Sequence, residues 1–269
     1  MARKKFEITP EQIQDFRNAT LMDDVFMKAF FEDNIPATET VLRIIMDKPD
    51  LVVISMSTQE TLKGFDGSRG VVFDVYAVDS KGTQYDIEVQ NKPDGATPFR
   101  ADFNSAMMTV RTLKKREDFS ALSERERVVI FITATDVLKG GLPIYRIDRI
   151  IKETGQDFGD NNHIIYVNVS HEGLESELGK LIHDFRSGDE ESWYHSEWQS
   201  KARAIKEEKS MGKAIEQLKA DVRADEKAAT SENIALNFIK MGKLAFEEIA
   251  RGCNLTLQQV KDLAATVKA

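Results

Sequence analysis

The segment 71–90 restricts the fold of this chain more than any other, because it has the pattern of two β-strands joined by a tight turn. Residues 71–78 are rich in β-branched and aromatic side chains, which favour a strand. Residues 84–90 alternate strictly between polar and apolar, as one strand with two different faces does. The residues between them, 80–82, fit a three-residue hairpin loop in which Gly82 takes the left-handed conformation.

The length of that loop determines which residues of the two strands face each other. A three-residue loop pairs Asp79 with Thr83, and counting outward along both strands sets Asp74 directly opposite Glu88. Directly opposed residues have Cβ atoms about 4.5–5.5 Å apart, so these two carboxylates repel each other. We therefore expect a cation to be held between them. A loop of two or four residues would move Asp74 away from Glu88.

Length and composition indicate an ordinary globular protein. A chain of 269 residues allows one or two domains, and 41% hydrophobic with 30% charged residues is typical of soluble proteins. The sequence contains no apolar run of the roughly 18 residues that span a membrane, and residues 1–20 lack the hydrophobic segment of a secretory signal. The single Cys253 cannot form an intramolecular disulfide, which is consistent with a reducing cytoplasm. We expect a cytoplasmic protein with no membrane partner.

The net charge of −8 argues against a protein that coats nucleic acid through bulk electrostatics. It does not exclude an enzyme with a local basic groove. An acidic cluster that binds a divalent metal would itself add to the negative total, so composition leaves the function open.

The order of the predicted elements permits an α/β fold with a mixed sheet between helices, which the resemblance described below implies. The predicted elements are a helix that starts at 23–24 and is interrupted at 34–36, a second helix at 37–46, a strand at 51–60, the hairpin, a helix at 99–116, a strand buried on both faces at 128–133, strands at 143–151 and 164–169, and a helix at 174–185. The helix at 99–116 has two stripes. Its apolar stripe contains Phe99, Phe103, Ala106, Val110 and Leu113, and the neighbouring stripe contains Arg100, Asn104, Met107 and Arg111.

The hairpin carries a short motif that resembles a known one. Asp74, followed after 13 residues by Glu88-Val89-Gln90, resembles the signature of the PD-(D/E)xK nucleases, with Gln90 in place of the usual Lys. The E-x-Q variant resembles the recombination-promoting nuclease/putative transposase (Rpn) family. Two further motifs fit the same family: Asp24-x-Phe26-x-Lys28-x-Phe30-Phe31 and Arg100-Ala101-Asp102-Phe103. Phe73 stands where the superfamily often has Pro, and the similarity covers about residues 20–190.

The resemblance implies a restriction-endonuclease-like core with an α-helical C-terminal extension. It further implies a divalent-metal-dependent DNA endonuclease that hydrolyses phosphodiester bonds in recombination or transposition. Asp74 and Glu88 would be catalytic and, with the main-chain carbonyl of Val89, would bind Mg²⁺ or Mn²⁺, which generates the nucleophile and stabilises phosphoryl charge. Gln90 cannot act as a titratable base, but its amide could orient the attacking water or donate to the phosphate.

Other residues near these motifs are accessory candidates. Asp86 shares the polar face with Glu88 and either joins the site or is a solvated edge residue. Asp24 opens a helix, where N-capping is the commoner role, although the resemblance implies a contribution to the site. The candidate phosphate contacts are Arg69, Lys92, Arg100 and Arg111, of which the resemblance favours Arg100 because it places that residue on the helix beside the hairpin. The four histidines, His163, His171, His183 and His195, lack ligand spacing and are expected at the surface.

We divide the chain into an N-terminal extension (1–20), a nuclease-like domain (21–199), a charged helical linker (200–230) and a helical module (231–269). Within the module, 243–263 resembles a helix-turn-helix, with Thr256 as the N-cap of the second helix. That helix offers only Lys261 and Lys268 as cations, so packing or homo-oligomerisation is favoured over sequence-specific DNA binding.

Two alternatives to the nuclease remain open. The first is a degenerate nuclease fold that binds nucleic acid or a protein partner without cleaving. The second is a chain that avoids DNA and assembles through its C-terminal helices.

Overall fold

The computed structural model describes residues 10–62, 70–173, 175–207, 231–232, 234–240 and 244–268, with only the backbone for 10–12 and 266–268. Arg69 and most of the predicted linker at 200–230 therefore lie outside the described residues. The described residues form two compact units, one within 1–62 and 72–212 and the other within 213–269 together with 70–71. A helix at Ser196–Lys206 runs across the predicted boundary at residue 199, and the division into domains stays a prediction.

The first unit is built on a six-stranded mixed sheet with the strand order β1-β2-β3-β4-β6-β5. The strands are β1 (Val53–Leu62), β2 (Val71–Asp79), β3 (Gln84–Gln90), β4 (Arg127–Thr133), β5 (Ile144–Ile147) and β6 (Asn162–Asn168). Strands β3, β4 and β6 run parallel, whereas β2 and β5 run antiparallel to their neighbours β3 and β6. Every residue of β4 is buried, as in a central strand covered on both faces. The predicted α/β architecture is confirmed and is consistent with a restriction-endonuclease-like fold.

Six helices of this unit are described: α1 (Pro10–Arg17), α2 (Asp24–Phe31), α3 (Ile35–Met46), α4 (Pro98–Thr112), α5 (Glu177–Arg186) and α6 (Ser196–Lys206). Helix α2 begins at Asp24 as predicted, and its phenylalanines pack on the aromatic residues around α6. The rings of Phe30 and Trp198 lie 5.6 Å apart, and those of Phe30 and Trp193 5.9 Å apart. Both tryptophans therefore belong to the core of this unit.

Four predicted boundaries are wrong, and N-caps explain two of them. Helix α3 begins two residues before its predicted start, because the Asn34 side chain accepts a hydrogen bond from the Ala37 amide. Helix α5 begins at Glu177, where Ser176 caps it by accepting from the Gly179 amide. Helix α4 ends at Thr112 rather than at residue 116, and β5 ends at Ile147 rather than at residue 151.

Helix α4 does not turn its predicted apolar stripe toward the sheet; of the neighbouring stripe, Asn104 and Met107 are buried. Its buried residues are Ala101, Asn104, Ser105, Met107, Met108 and Thr112. On the opposite side, Phe99 is 87% exposed and Val110 is 47% exposed. The buried side of α4 therefore combines apolar with polar side chains, which departs from the usual uniformly apolar buried face of a helix. The polar face of β3 explains this departure.

The described residues of the second unit between 231 and 268 form helices and short turns. Its core contains Ala235, Ile249, Ala250, Cys253 and Val260. Helices Phe246–Cys253 and Leu257–Lys268 are joined by a short turn in which Asn254 has a left-handed conformation. The hydroxyl of Thr256 accepts a hydrogen bond from the Gln259 amide at 3.2 Å, which confirms the predicted N-cap. Within the part of the chain that the structure describes, no helix has both the length and the apolar composition needed to cross a membrane.

Candidate active site

The hairpin has the register that the sequence predicts. Gly82 has φ 83°, and the Asp79 amide donates to the Thr83 carbonyl at 3.0 Å, which closes a three-residue loop. The strands β2 and β3 then pair Tyr76 with Asp86 and Val75 with Ile87. One further step along both strands brings Asp74 beside Glu88.

Hydrogen bonds hold Asp74, Glu88 and Val89 together at this position. The Asp74 amide donates to Glu88 Oε1 at 3.4 Å, and the Val89 amide donates to Asp74 Oδ2 at 3.1 Å. The N–H and C=O of one strand residue point to the same side of the strand, so the Val89 carbonyl also points toward β2. Two carboxylates and one carbonyl therefore converge on one end of the hairpin.

Helix α4 provides a partner for three of the four side chains on the polar face of β3, including the two that are fully buried. The pairs are Glu88 with Arg100 (Oε2–Nη2, 2.5 Å), Asp86 with Asn104 (Oδ2–Nδ2, 2.9 Å) and Gln84 with Thr112 (Oε1–Oγ1, 3.1 Å). Glu88 and Asp86 are both 0% exposed. The interpretation of Asp86 as a solvated edge residue is therefore wrong. Buried polar groups require partners, and this requirement explains why α4 presents Arg100, Asn104 and Thr112 to β3.

Burial and mutual repulsion make these carboxyl groups unusually basic. Burial, with the Asp74 charge adding to it, raises the pKa of Glu88 to about 7, although Arg100 opposes the shift. Burial also raises the pKa of Asp74, against the hydrogen bond from the Val89 amide. For Asp86, burial and then the charge of Glu88 raise the pKa well above its usual range. All three carboxyl groups therefore hold their protons more tightly than free carboxyl groups do.

An open pocket of about 450 Å³ lies beside the hairpin end. Its lining includes Asp74, Val89 and Gln90 from the hairpin, Asp24 from α2, and Lys92 and Gly95 from the following loop. Asp24 is the first residue of α2 and pairs with Lys28 at 2.9 Å, while Asp23 occupies the N-cap position. The N-cap role expected for Asp24 is therefore wrong, and its carboxylate lies in the same pocket as Asp74.

The predicted phosphate-binding residues that the structure describes differ in their distance from the carboxylates. Arg100 and Lys92 lie beside the carboxylates, whereas Arg111 is three turns further along α4. Arg111 pairs with Glu60 at 2.7 Å and lies over the Tyr76 ring.

One of the four histidines departs from the expected surface position. His195 is buried, and its Nδ1 lies 2.7 Å from Asp184 Oδ2, so the expectation that this histidine lies at the surface is wrong. The Asp184–His195 contact lies outside the candidate active site and joins α5 to the segment that leads into α6.

Sequence reasoning missed three residues at the site. The Gln59 side chain donates to Asp74 Oδ1 at 3.4 Å from a backbone with φ 56°, a conformation that is uncommon for a non-glycine residue and has no sequence signal. Asn104 belongs to the second stripe of α4, which the sequence identifies beside the apolar one. Its pairing with Asp86 depends on how the helix packs on the sheet. Gly95 lies against the side chain of Gln90.

The donor atoms suit a hard divalent cation. Among the residues that the structure describes, no group of three or more His, Cys, Asp or Glu side chains is positioned to hold a metal ion. Magnesium ions in proteins commonly take only one or two carboxylates and leave the other positions to water and substrate phosphates. Asp74, Glu88 and the Val89 carbonyl match that pattern. Burial is the main cause of the raised pKa values of both carboxyl groups, and a bound cation would favour their ionised forms.

Comparison with known proteins agrees with the motifs. A family model described as PD-(D/E)XK nuclease family transposase matches residues 21–235. The match spans the hairpin and every candidate residue, confirms the resemblance inferred from the motifs, and extends beyond residue 190. No curated protein and no solved structure matches the chain.

Proposed function

The chain belongs to the PD-(D/E)XK nuclease family transposases, and from that premise we propose that it is a divalent-metal-dependent DNA endonuclease. It would hydrolyse phosphodiester bonds in recombination or transposition. The observation that carries this proposal is the buried pairing of Asp74 with Glu88 across the hairpin, beside the Val89 carbonyl.

Asp74, Glu88 and the carbonyl of Val89 would hold Mg²⁺ or Mn²⁺. When bound, such an ion lowers the pKa of water and offsets charge on phosphoryl oxygens. The protein's own contribution is to fix the carboxylates before the substrate arrives. Asp74 is held by the Val89 amide and Gln59, and Glu88 by the Asp74 amide and Arg100.

Gln90 and two cations would act on the substrate. Gln90 Nε2 lies 3.4 Å from Glu88 Oε2, so its second N–H can orient a water or donate to a phosphate oxygen. Arg100 pairs with Glu88 through one nitrogen, and a guanidinium has further donors that can reach a phosphate. Lys92 lines the pocket and adds positive charge there. These local cations allow a chain with net charge −8 to approach DNA at this site.

Asp24, Asp86, Arg69 and Arg111 stay accessory candidates. Cytoplasmic location and homo-oligomerisation through the C-terminal helices also stay predictions.

The alternative proposal is a degenerate nuclease fold that binds nucleic acid or a protein partner without cleaving it. The ion pair between Arg100 and Glu88 favours this alternative, because at 2.5 Å it engages one of the oxygens that a metal ion would need. The substitution of Gln90 for the usual Lys points the same way, since an amide carries no charge to stabilise the reaction.

Cleavage of supercoiled plasmid with Mg²⁺ or Mn²⁺ distinguishes the two proposals. Wild type should nick the plasmid, EDTA should abolish nicking, and Asp74→Ala should lose it. Asp50→Ala is the matched control, because Asp50 is an exposed aspartate before β1, away from the pocket. DNA binding without cleavage under either metal would favour the non-catalytic alternative, and equal nicking by wild type and Asp74→Ala would indicate a contaminating nuclease.

A further inference from the structure

The side chain of Gln90 fits into a notch that exists only because residue 95 is glycine. A Cβ added to Gly95 would overlap Gln90 Oε1 and would lie 3.0 Å from Gln90 Cδ. The φ angle of Gly95 is outside the left-handed region, so its backbone conformation is open to other residues. The glycine is therefore needed for space and not for backbone freedom.

The turn that forms this notch is attached to the sheet. Gly95 lies in a short 3₁₀ helix, Pro93–Ala96, and its amide donates to the Lys92 carbonyl at 3.0 Å. The next residue, Ala96, is buried, and its carbonyl accepts a hydrogen bond from the Tyr166 hydroxyl on β6 at 3.0 Å. The notch therefore has a defined position relative to the strands that carry the carboxylates.

The opposite end of the Gln90 amide is directed at the carboxylates. While Oε1 lies against Gly95, Nε2 donates to Glu88 Oε2 at 3.4 Å. The amide is thus held with its oxygen toward the loop and its donor nitrogen toward the site. In that orientation Gln90 offers N–H groups to Glu88 and the substrate, as a lysine at this position would.

We propose that Gly95 is a positioning residue that sets the orientation of the Gln90 amide and thereby its action at the site. This inference rests on the proposed nuclease function for its catalytic part only. The steric part concerns two residues of the folded protein and can be measured without metal or DNA.

The variant Gly95→Ala isolates this effect. The added methyl group meets the far end of a flexible side chain, so Gln90 moves while the backbone stays. The side-chain NH₂ resonances of Gln90, assigned in ¹⁵N-labelled protein by their loss in Gln90→Ala, should shift toward random-coil values in Gly95→Ala. Plasmid cleavage should fall about 10- to 100-fold, to the level of Gln90→Ala, as is typical when a group that orients metal ligands is lost.

The double variant Gly95→Ala/Gln90→Ala distinguishes positioning from a general structural effect. Removing the Gln90 amide removes the atoms that the new methyl group meets, so Gly95→Ala should change neither cleavage nor thermal stability in that background. Gly252→Ala is the matched control, because a Cβ at Gly252 meets nothing within 4 Å. It should cleave as wild type does.

The proposal is overturned if the Gln90 resonances of Gly95→Ala match those of wild type, or if Gly95→Ala still lowers cleavage in the Gln90→Ala background. It is also overturned if the resonances shift while cleavage stays at the wild-type rate. Absence of cleavage by the wild type refutes the proposed nuclease function instead. The Gln90 resonances then decide, without any cleavage assay, whether Gly95 sets the orientation of the Gln90 amide.

Discussion

Replacing Glu88 by Gln tests whether the candidate site carries buried negative charge that destabilises the metal-free protein. Burial, followed by the Asp74 charge, raises the pKa of Glu88 from 4.5 to about 7. A folded-state pKa above the unfolded value means that the folded protein holds the proton more tightly. The resulting stabilisation is fully present below about pH 4.5 and is lost as the pH rises through about 7. For this shift, linkage predicts a loss of about 2.5 kcal/mol of unfolding free energy between pH 5 and pH 8.

The glutamine side chain in Glu88→Gln cannot ionise. Between pH 5 and pH 8, the unfolding free energy of the variant should therefore fall by about 2.5 kcal/mol less than that of wild type. Asp74 and Asp86, whose pKa values are also raised, remain in both proteins and contribute in the same direction. Urea unfolding in EDTA, followed by tryptophan fluorescence, measures the difference. The two tryptophans of the chain, Trp193 and Trp198, are both buried in the first unit and report on it.

Glu60→Gln is the control for this experiment. Hydrogen bonds from Ser57 and Arg111 lower the pKa of Glu60, so this residue stays nearly fully ionised between pH 5 and pH 8. Its substitution should therefore leave the pH dependence close to that of wild type in this window. If Glu88→Gln and wild type lose equal stability between pH 5 and pH 8, the reasoning about buried charge is refuted.

Three further predictions concern metal binding, the core and assembly. Mn²⁺ at about 100 times its dissociation constant should raise the unfolding free energy of wild type by about 2.7 kcal/mol, and that of Asp74→Ala by much less, in the same urea assay. Asp184→Asn should cost about 3 kcal/mol of unfolding free energy, because buried Asp184 accepts from the Tyr194 and His195 amides at 2.8 and 2.9 Å; a loss below 1 kcal/mol would contradict this. Light scattering should show that a chain ending at Gly212 loses any oligomer that the full chain forms, whereas an unchanged mass would exclude assembly through the C-terminal helices.

The sequence by itself determined the features that depend on residues close together in the chain. Strict alternation from Gln84 to Gln90 identified a strand, and a glycine at the end of a three-residue loop set the register that brings Asp74 beside Glu88. Thr256 was likewise recognisable as an N-cap, because the hydroxyl and the amide it binds are only three residues apart. In each case the turn or cap is defined by the backbone geometry of residues close together in the chain, so the local sequence is enough to indicate it.

Only the tertiary structure decided which faces of these elements are buried. From its composition, α4 has an apolar stripe suited to a core, yet Phe99 on that stripe is largely exposed. The buried polar side chains of β3 need partners, and Asn104 and Arg100 on the other stripe supply them. Likewise Gly95 has no signal of its own in the sequence, because its role comes from the proximity of Gln90. In both cases the deciding contact is one that the fold creates. The free energy of burying a polar group depends on what the fold places against it, and the missing side chain of Gly95 matters only because Gln90 lies against it.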